Sequence, residues 1–311
     1  MRALVSATII PSLFLAACGG SSDSNSTAVV TTTQAVSIQF AAQANGADIT
    51  CASNIAAISA GNPAMTLKDL RYYVSDVRLI NNKGEEVAVK LDQNPVNPNQ
   101  YLNVAMLDFE NGLNSCAGGS AETNTTITGK VPSGTYTGLM FTVGVPVSAV
   151  DADGKTVSLN HSDYATAPAP LDSQALAWSW QSGRKFLKLE VNPVGGVTKP
   201  DTTVAPTFNV HLGSTGCTGN PAGGEAVTCT KPNRMSVRLT SFNIATQKAA
   251  LDLNGLLGNS NLTKDEGGPV GCMSGADAEC TPIFTAMQID QANGQPINLG
   301  TSQTVFKAVA K

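Results

Sequence analysis

Nine short stretches with the make-up of β-strands recur along this 311-residue chain, and no comparable set repeats with the period of a helix. AVSIQFAA, RYYVSDVRLI, EEVAVKL, NTTITGKV, TYTGLMFTVGV, KFLKLEV, APTFNVHL, RMSVRLTSFNI and KAALDL are rich in β-branched and aromatic residues, and many alternate apolar with polar. Alternation with period two sends one set of side chains to a core and the other to the opposite face. Turn-forming clusters such as NNKGEE, VPSGTY and DADGK separate them. The best helical candidates, MTLKDL and DLNGLLG, are short. The expected fold class is all-β: an antiparallel β-sandwich with long loops over 192–206, 213–233 and 258–282.

Two of those loops hold four cysteines, and fastening a long irregular loop is what a disulfide does. Setting Cys18 aside, six cysteines remain: Cys51, Cys116, Cys217, Cys229, Cys272 and Cys280. Six cysteines allow fifteen pairings. Short loops favour Cys217–Cys229 and Cys272–Cys280, which leaves Cys51–Cys116. With no CxxC and no finger-like histidine spacing, a structural zinc site is not expected.

The N-terminus explains the seventh cysteine. MRALVSATIIPSLFLAAC has a positive Arg2, an apolar run too short to span a bilayer, and small residues before Cys18. Residues 1–17 read as a signal peptide. The Leu15-Ala16-Ala17-Cys18 ending resembles a lipobox, with Cys18 as the lipidated first residue of the mature chain. Gly19 after it leans towards the outer membrane. Residues 18–34 read as a lipidated N-terminus with a flexible polar tether, and 35–311 as one β-sandwich domain.

Lysine plus arginine number 19 against 23 acidic residues, a net charge of −4 with no basic patch, which argues against nucleic acid as a partner. Catalytic patterns are thin: there is no GxSxG, and pairing all six cysteines leaves no thiolate nucleophile. DADGK opens like an EF-hand loop, but the twelfth position is Ser162, so a hairpin turn is the better reading. The chain is expected not to be an enzyme.

What stands out is rarity. The only tryptophans, Trp178 and Trp180, are two positions apart in ALAWSWQSGRKFLKLE, so in an extended segment both indoles point the same way. The only histidines are His161, in polar SLNHSDYA, and His211, in TFNVHLGSTGC. Phe208, Val210 and Leu212 share one face of the latter segment, so His211 points to the other. Neutral imidazoles suit copper, which heads the Irving–Williams order. Asp163 and Met273 are possible accessory ligands, although the first suits a turn and the second packing. A different reading makes the paired tryptophans a stacking platform in an outer-surface carbohydrate-recognition module.

Several motifs in one order carry a family resemblance: LRYYVSDVRLI, LDFENG, TGLMFTVGVP, the asparagine–histidine pair of LNHSD, WSWQSGRKFLKLE, HLGSTGC, PNR and GCMSG. From about Ser37 to about Phe284 the chain resembles the MbnP-like family, the metallo-mystery pair four-Cys-motif proteins. The resemblance implies an exported copper-binding protein whose partner is a MauG-like di-haem enzyme of the cytochrome c peroxidase family. That partner oxidises a tryptophan to kynurenine at a copper site with histidine ligands. Carried onto this sequence, His161 and His211 become the metal ligands, and Trp180 or Trp178 the modified residue. Arg184 stands where relatives have an aromatic, which implies altered surroundings for the site. The implied role is copper acquisition or handling, in the periplasm or at the cell surface.

Overall fold

Strand β1 (Thr33–Ala44) runs through the middle of one sheet, and β2 (Met65–Asn81) through the middle of the other. The computed structural model describes residues 32–178, 183–219, 227–273 and 277–311. The remaining principal strands are β3 (Val104–Asp108), β4 (Thr126–Pro132), β5 (Tyr136–Val143), β6 (Leu187–Pro193), β7 (Phe208–Leu212), β8 (Met235–Leu239), β9 (Gln247–Asp252) and β10 (Phe306–Ala310). The first sheet has the order β10–β9–β1–β4, continued by Lys90–Leu91. The second runs β8–β5–β2–β6–β7, continued by Gly271–Cys272, and β3 also pairs with β2.

The nearly all-β architecture agrees with the sequence, but the sheets are mixed rather than purely antiparallel. β1 pairs in parallel with β9, Phe40 opposite Ala249, and β7 pairs in parallel with Gly271–Cys272. A parallel neighbour needs a long crossover, and both arrive after one. Strand composition carries no such directional signal.

Rings from both sheets meet between them. Phe40 of β1 and Phe141 of β5 lie edge to face at 5.5 Å, and Phe306 of β10 contacts both Phe141 at 5.0 Å and Tyr72 of β2 at 5.7 Å. Leu67, Leu70, Leu79, Leu107, Leu139 and Leu189 fill the space around them, all fully buried. Each such side chain contributes about 1.5–3 kcal/mol of burial.

MTLKDL is not helical: it opens β2, with strands on both sides of it. DLNGLLG does form a helix, α1 (Leu253–Leu257), capped by the Asp252 side chain accepting from Asn254 N. A second helix, α2 (Cys280–Met287), has Pro282 in its first turn and buries Ile283, Phe284 and Met287. Two of the three long loops contain small hairpins, Val197–Thr198 with Val204–Ala205 and Thr215–Thr218 with Thr228–Lys231. Among the described residues the disulfides are Cys51–Cys116, Cys217–Cys229 and Cys272–Cys280, the pairing that loop length favoured. DADGK turns between Ser148–Val150 and Thr156–Ser158, with the Asp151 carboxylate accepting from Asp153 N and Lys155 N.

Candidate metal centre

Register decides what surrounds His211. It stands opposite Lys188 of β6, which stands opposite Arg71 of β2, which stands opposite Asp108 of β3. Side chains in one cross-strand row share a face, so the sheet carries a charged row on the side away from the aromatic core. The next row adds Asp69 and Glu190. Arg71 binds Asp69 at 2.5 Å and Glu110 at 3.2 Å, Lys188 binds Asp69 at 2.5 Å, and Lys68 binds Glu190 at 3.0 Å. This face is covered: Asp69, Arg71, Glu190 and His211 are all buried.

The Glu190 carboxylate lies 3.0 Å from His211 Nε2. Burial pushes Glu190 up, but His211, Lys188 and Lys68 outweigh it and hold the carboxyl well below its usual range. An ionised carboxylate accepts, so Nε2 of a neutral His211 carries the proton and Nδ1 the lone pair. A carboxylate that accepts from one ring nitrogen in this way orients a histidine whose other nitrogen can bind a metal. Burial lowers the His211 pKa, with Glu190 opposing it in part, so the ring is neutral at pH 7.

His161 reaches the site from a loop, and Arg184 is what holds that loop. The Arg184 guanidinium, 2 % exposed, donates to the carbonyls of Leu159 at 2.7 Å, Asn160 at 2.8 Å and Leu171 at 2.6 and 3.0 Å. Its backbone N–H donates to Asn160 Oδ1 at 3.1 Å. His161 is thereby fixed in the interior with Nε2 3.6 Å from Cys229 Sγ, and its buried Nδ1 has no hydrogen-bond partner. Burial, with the Arg184 charge adding to it, lowers the His161 pKa to about 4. Both effects keep the imidazole neutral and able to bind a metal. Arg184 is thus a scaffold made of hydrogen bonds for the His161 loop.

Trp178 is tied to both elements through two glycines. Ala177–Trp178 pairs with Gly183–Arg184, Trp178 opposite Gly183. A methyl group on Gly183 would sit 3.1 Å from His161 Nε2. On the other side, a methyl on Gly213 would sit 2.3 Å from Trp178 Cζ3 and 2.7 Å from the Arg184 carbonyl, so Trp178 packs on bare backbone two residues after His211. Gly213→Ala is therefore expected to displace the indole, costing about 1–3 kcal/mol. Thermal unfolding and the tryptophan emission maximum would both move; an unchanged emission spectrum would count against this packing.

Asp163 is exposed, and its carboxylate accepts from Ala165 N in a turn. Met273 follows directly on Cys272, which pairs with Val210 next to His211, and its N–H donates to Asp277. Trp180 and Cys18 lie outside the described residues. Sequence reasoning did not single out Glu190, nor Cys229 as the wall against His161; the alternation in KFLKLEV, which puts Lys188 and Glu190 on one face, was the available signal for the first.

Among the described residues, a group that could hold a metal consists of His161 and the sulfurs of Cys217 and Cys229, with potential ligand atoms within 4.8 Å of one another. Both sulfurs are in a disulfide, so they offer no thiolate, and His211 is not in that group. Of the two histidines, His161 has an unpartnered buried nitrogen and His211 is oriented by Glu190.

Fold and site together define a disulfide-fastened β-sandwich protein with an imidazole–indole centre. The family model of MbnP matches residues 33–274, and the solved structure of MbnP from Methylosinus trichosporium superposes with a TM-score of 0.81 at 39% identity, over 90% of this chain and 99% of that one. No curated protein matches the chain. The chain belongs to the MbnP family, whose general association is with copper.

Proposed function

We propose that this chain is an exported, lipid-anchored copper-binding protein in which a tryptophan is oxidised to kynurenine by a MauG-like di-haem enzyme, serving copper acquisition or handling rather than catalysis. One observation carries the reading. A buried neutral imidazole, His161, lies against one strand of the Trp178 hairpin, and a second, His211, lies two residues before the glycine on which Trp178 packs. Two imidazoles bind copper without a charge of their own, and desolvation favours that neutral form. Bound copper would supply a Lewis-acidic or one-electron centre. The chain's own part is to hold the rings, exclude water and present the indole.

Oxidation to kynurenine cleaves the indole C2–C3 bond and places an oxygen on each carbon; hydrolysis then releases C2 as formate. A ketone and an aryl amine remain. The oxidising equivalents come from dioxygen or peroxide at the di-haem partner. The new groups coordinate or hydrogen-bond where the indole could only donate its N–H. The carbohydrate-platform reading is weakened by Trp178, which is only 4 % exposed.

Peptide mass spectrometry of protein from the native host, grown with limited copper, should find kynurenine at Trp180 or Trp178. Copper titration of His161→Ala/His211→Ala should show at least a hundredfold loss of affinity. Copper affinity equal to wild type in that variant would overturn the metal assignment, and two intact tryptophans would remove the modification from it.

A further inference from the structure

A second group of buried, unpartnered side chains belongs to the segment 260–279, which ends next to Cys280 of the Cys272–Cys280 disulfide. Asp265 is 1 % exposed, and neither carboxylate oxygen has a hydrogen-bond partner. Glu279, also buried, accepts from Glu266 N through Oε1, while its Oε2 is buried and unpartnered. The Ser260 hydroxyl is buried without a partner as well. Ser260 and Glu279 line one cavity of about 150 Å3, and Asp265 lines the adjoining cleft of about 530 Å3; both are bounded by Asn261, Lys264 and Glu266.

Stripping water from a carboxylate costs several kcal/mol unless something replaces it. Here no side chain does. The lysines that line the two cavities are paired elsewhere, Lys264 with Glu266 at 2.9 Å and Lys199 with Asp201 at 3.4 Å, although the Lys264 charge also reaches Glu279. The acids also repel one another. Burial raises the Glu279 carboxyl, bonds from backbone N–H groups oppose this, and the charges of Asp265 and Asp277 add to the rise. Two carboxylates and a hydroxyl, with no nitrogen or sulfur among them, are hard oxygen donors of the kind that take Ca2+, with backbone carbonyls and water completing six to eight ligands.

We propose that Asp265 and Glu279 form a calcium site, separate from the imidazole centre, that fastens the 258–280 loop to the sandwich. The segments it would join are already in register: Asp265 N donates to the Thr198 carbonyl at 2.9 Å, Thr198 N to the Thr263 carbonyl at 2.8 Å, and Cys280 N to the Asp277 carbonyl at 3.1 Å. An ion there replaces the missing water and converts the repulsion into a cross-link. Binding to the folded chain alone stabilises it by mass action.

The test uses the mature protein, stripped with chelator and followed by calorimetric titration and thermal unfolding with CaCl2 or MgCl2 alone. One calcium per chain is expected, with a rise in Tm of several degrees and weaker binding of magnesium. Asp265→Asn and, separately, Glu279→Gln should each weaken calcium binding at least tenfold, while exposed Asp201→Asn should not. His161→Ala/His211→Ala should retain calcium binding in full, so failure of the copper reading and of this one are distinguishable. Absence of any calcium-dependent heat or Tm shift in the folded wild type would overturn the site. So would undiminished calcium binding in Asp265→Asn or Glu279→Gln.

Discussion

Arg184→Met is expected to lower stability by about 3–5 kcal/mol, measured as a shift of the urea midpoint at unchanged slope. The methionine fills much of the same volume, so the loss isolates the guanidinium. Without it, the carbonyls of Asn160 and Leu171 lose their donors together, while Leu159 keeps only Ser162, whose N–H and hydroxyl also donate to it, and each unsatisfied carbonyl costs about 1–3 kcal/mol. Relaxation of the loop recovers part of that sum. Burial already disfavours the charged guanidinium, so the carbonyls are what make it tolerable inside. Arg184→Lys should recover only a fraction, because one ammonium cannot span three carbonyls in the plane of a fork. If both variants unfold like the wild type, Arg184 is not the anchor of the His161 loop.

Acid should unfold the metal-free protein through His161. Its pKa falls from an ordinary 6.5 to about 4 on folding, through burial first and the Arg184 charge second. Above pH 6.5 neither state is protonated and the full stability is present. Between pH 6.5 and 4 the unfolded chain takes up the proton and the folded chain does not, so stability falls as pH falls. The loss is complete below about pH 4 and amounts to roughly 3 kcal/mol. His211 shifts in the same direction and adds to it. A pH series of urea midpoints on wild type and His161→Gln checks this: the variant should lose the part of the slope due to His161. Parallel curves would mean that His161 does not titrate as its burial demands.

How much of this the sequence disclosed depended on how local each cause is. Strand composition and loop spacing are local, and they gave the all-β class and the pairing of Cys217 with Cys229. The same holds for α1, whose cap is Asp252, one residue upstream. MTLKDL failed because its apolar residues were short enough to suit either period, and pairing on both sides of β2 settled it. Alternation in TFNVHL correctly turned His211 away from Val210, but the sequence suggested a polar face, whereas the fold covers it with Glu190 and the ion pairs beside it. Arg184 was visible only as a departure from the family pattern. Its partners are carbonyls of Leu159, Asn160 and Leu171, and backbone atoms leave no residue-type signature. The unpartnered state of Asp265 is likewise a property of what surrounds it in space.

The position of β1 sets an order of events in folding. It lies between β4 and β9, with Phe40 opposite Ala249 and Ile38 opposite Ile127. A chain that enters its folding compartment N-terminus first can zip β1 to β4 before its second half arrives, but the edge of β1 that pairs with β9 stays bare until Gln247–Asp252 has followed. β9, α1 and β10 then arrive as a closing clasp, and Phe306 brings the ring that meets Phe141 and Tyr72. A chain stopped before Gln247 would carry both histidines and every cysteine up to Cys229, yet it would expose a ready-made edge to its neighbours. Completion of the first sheet therefore rests on the C-terminal strands, far in sequence from His161 and His211.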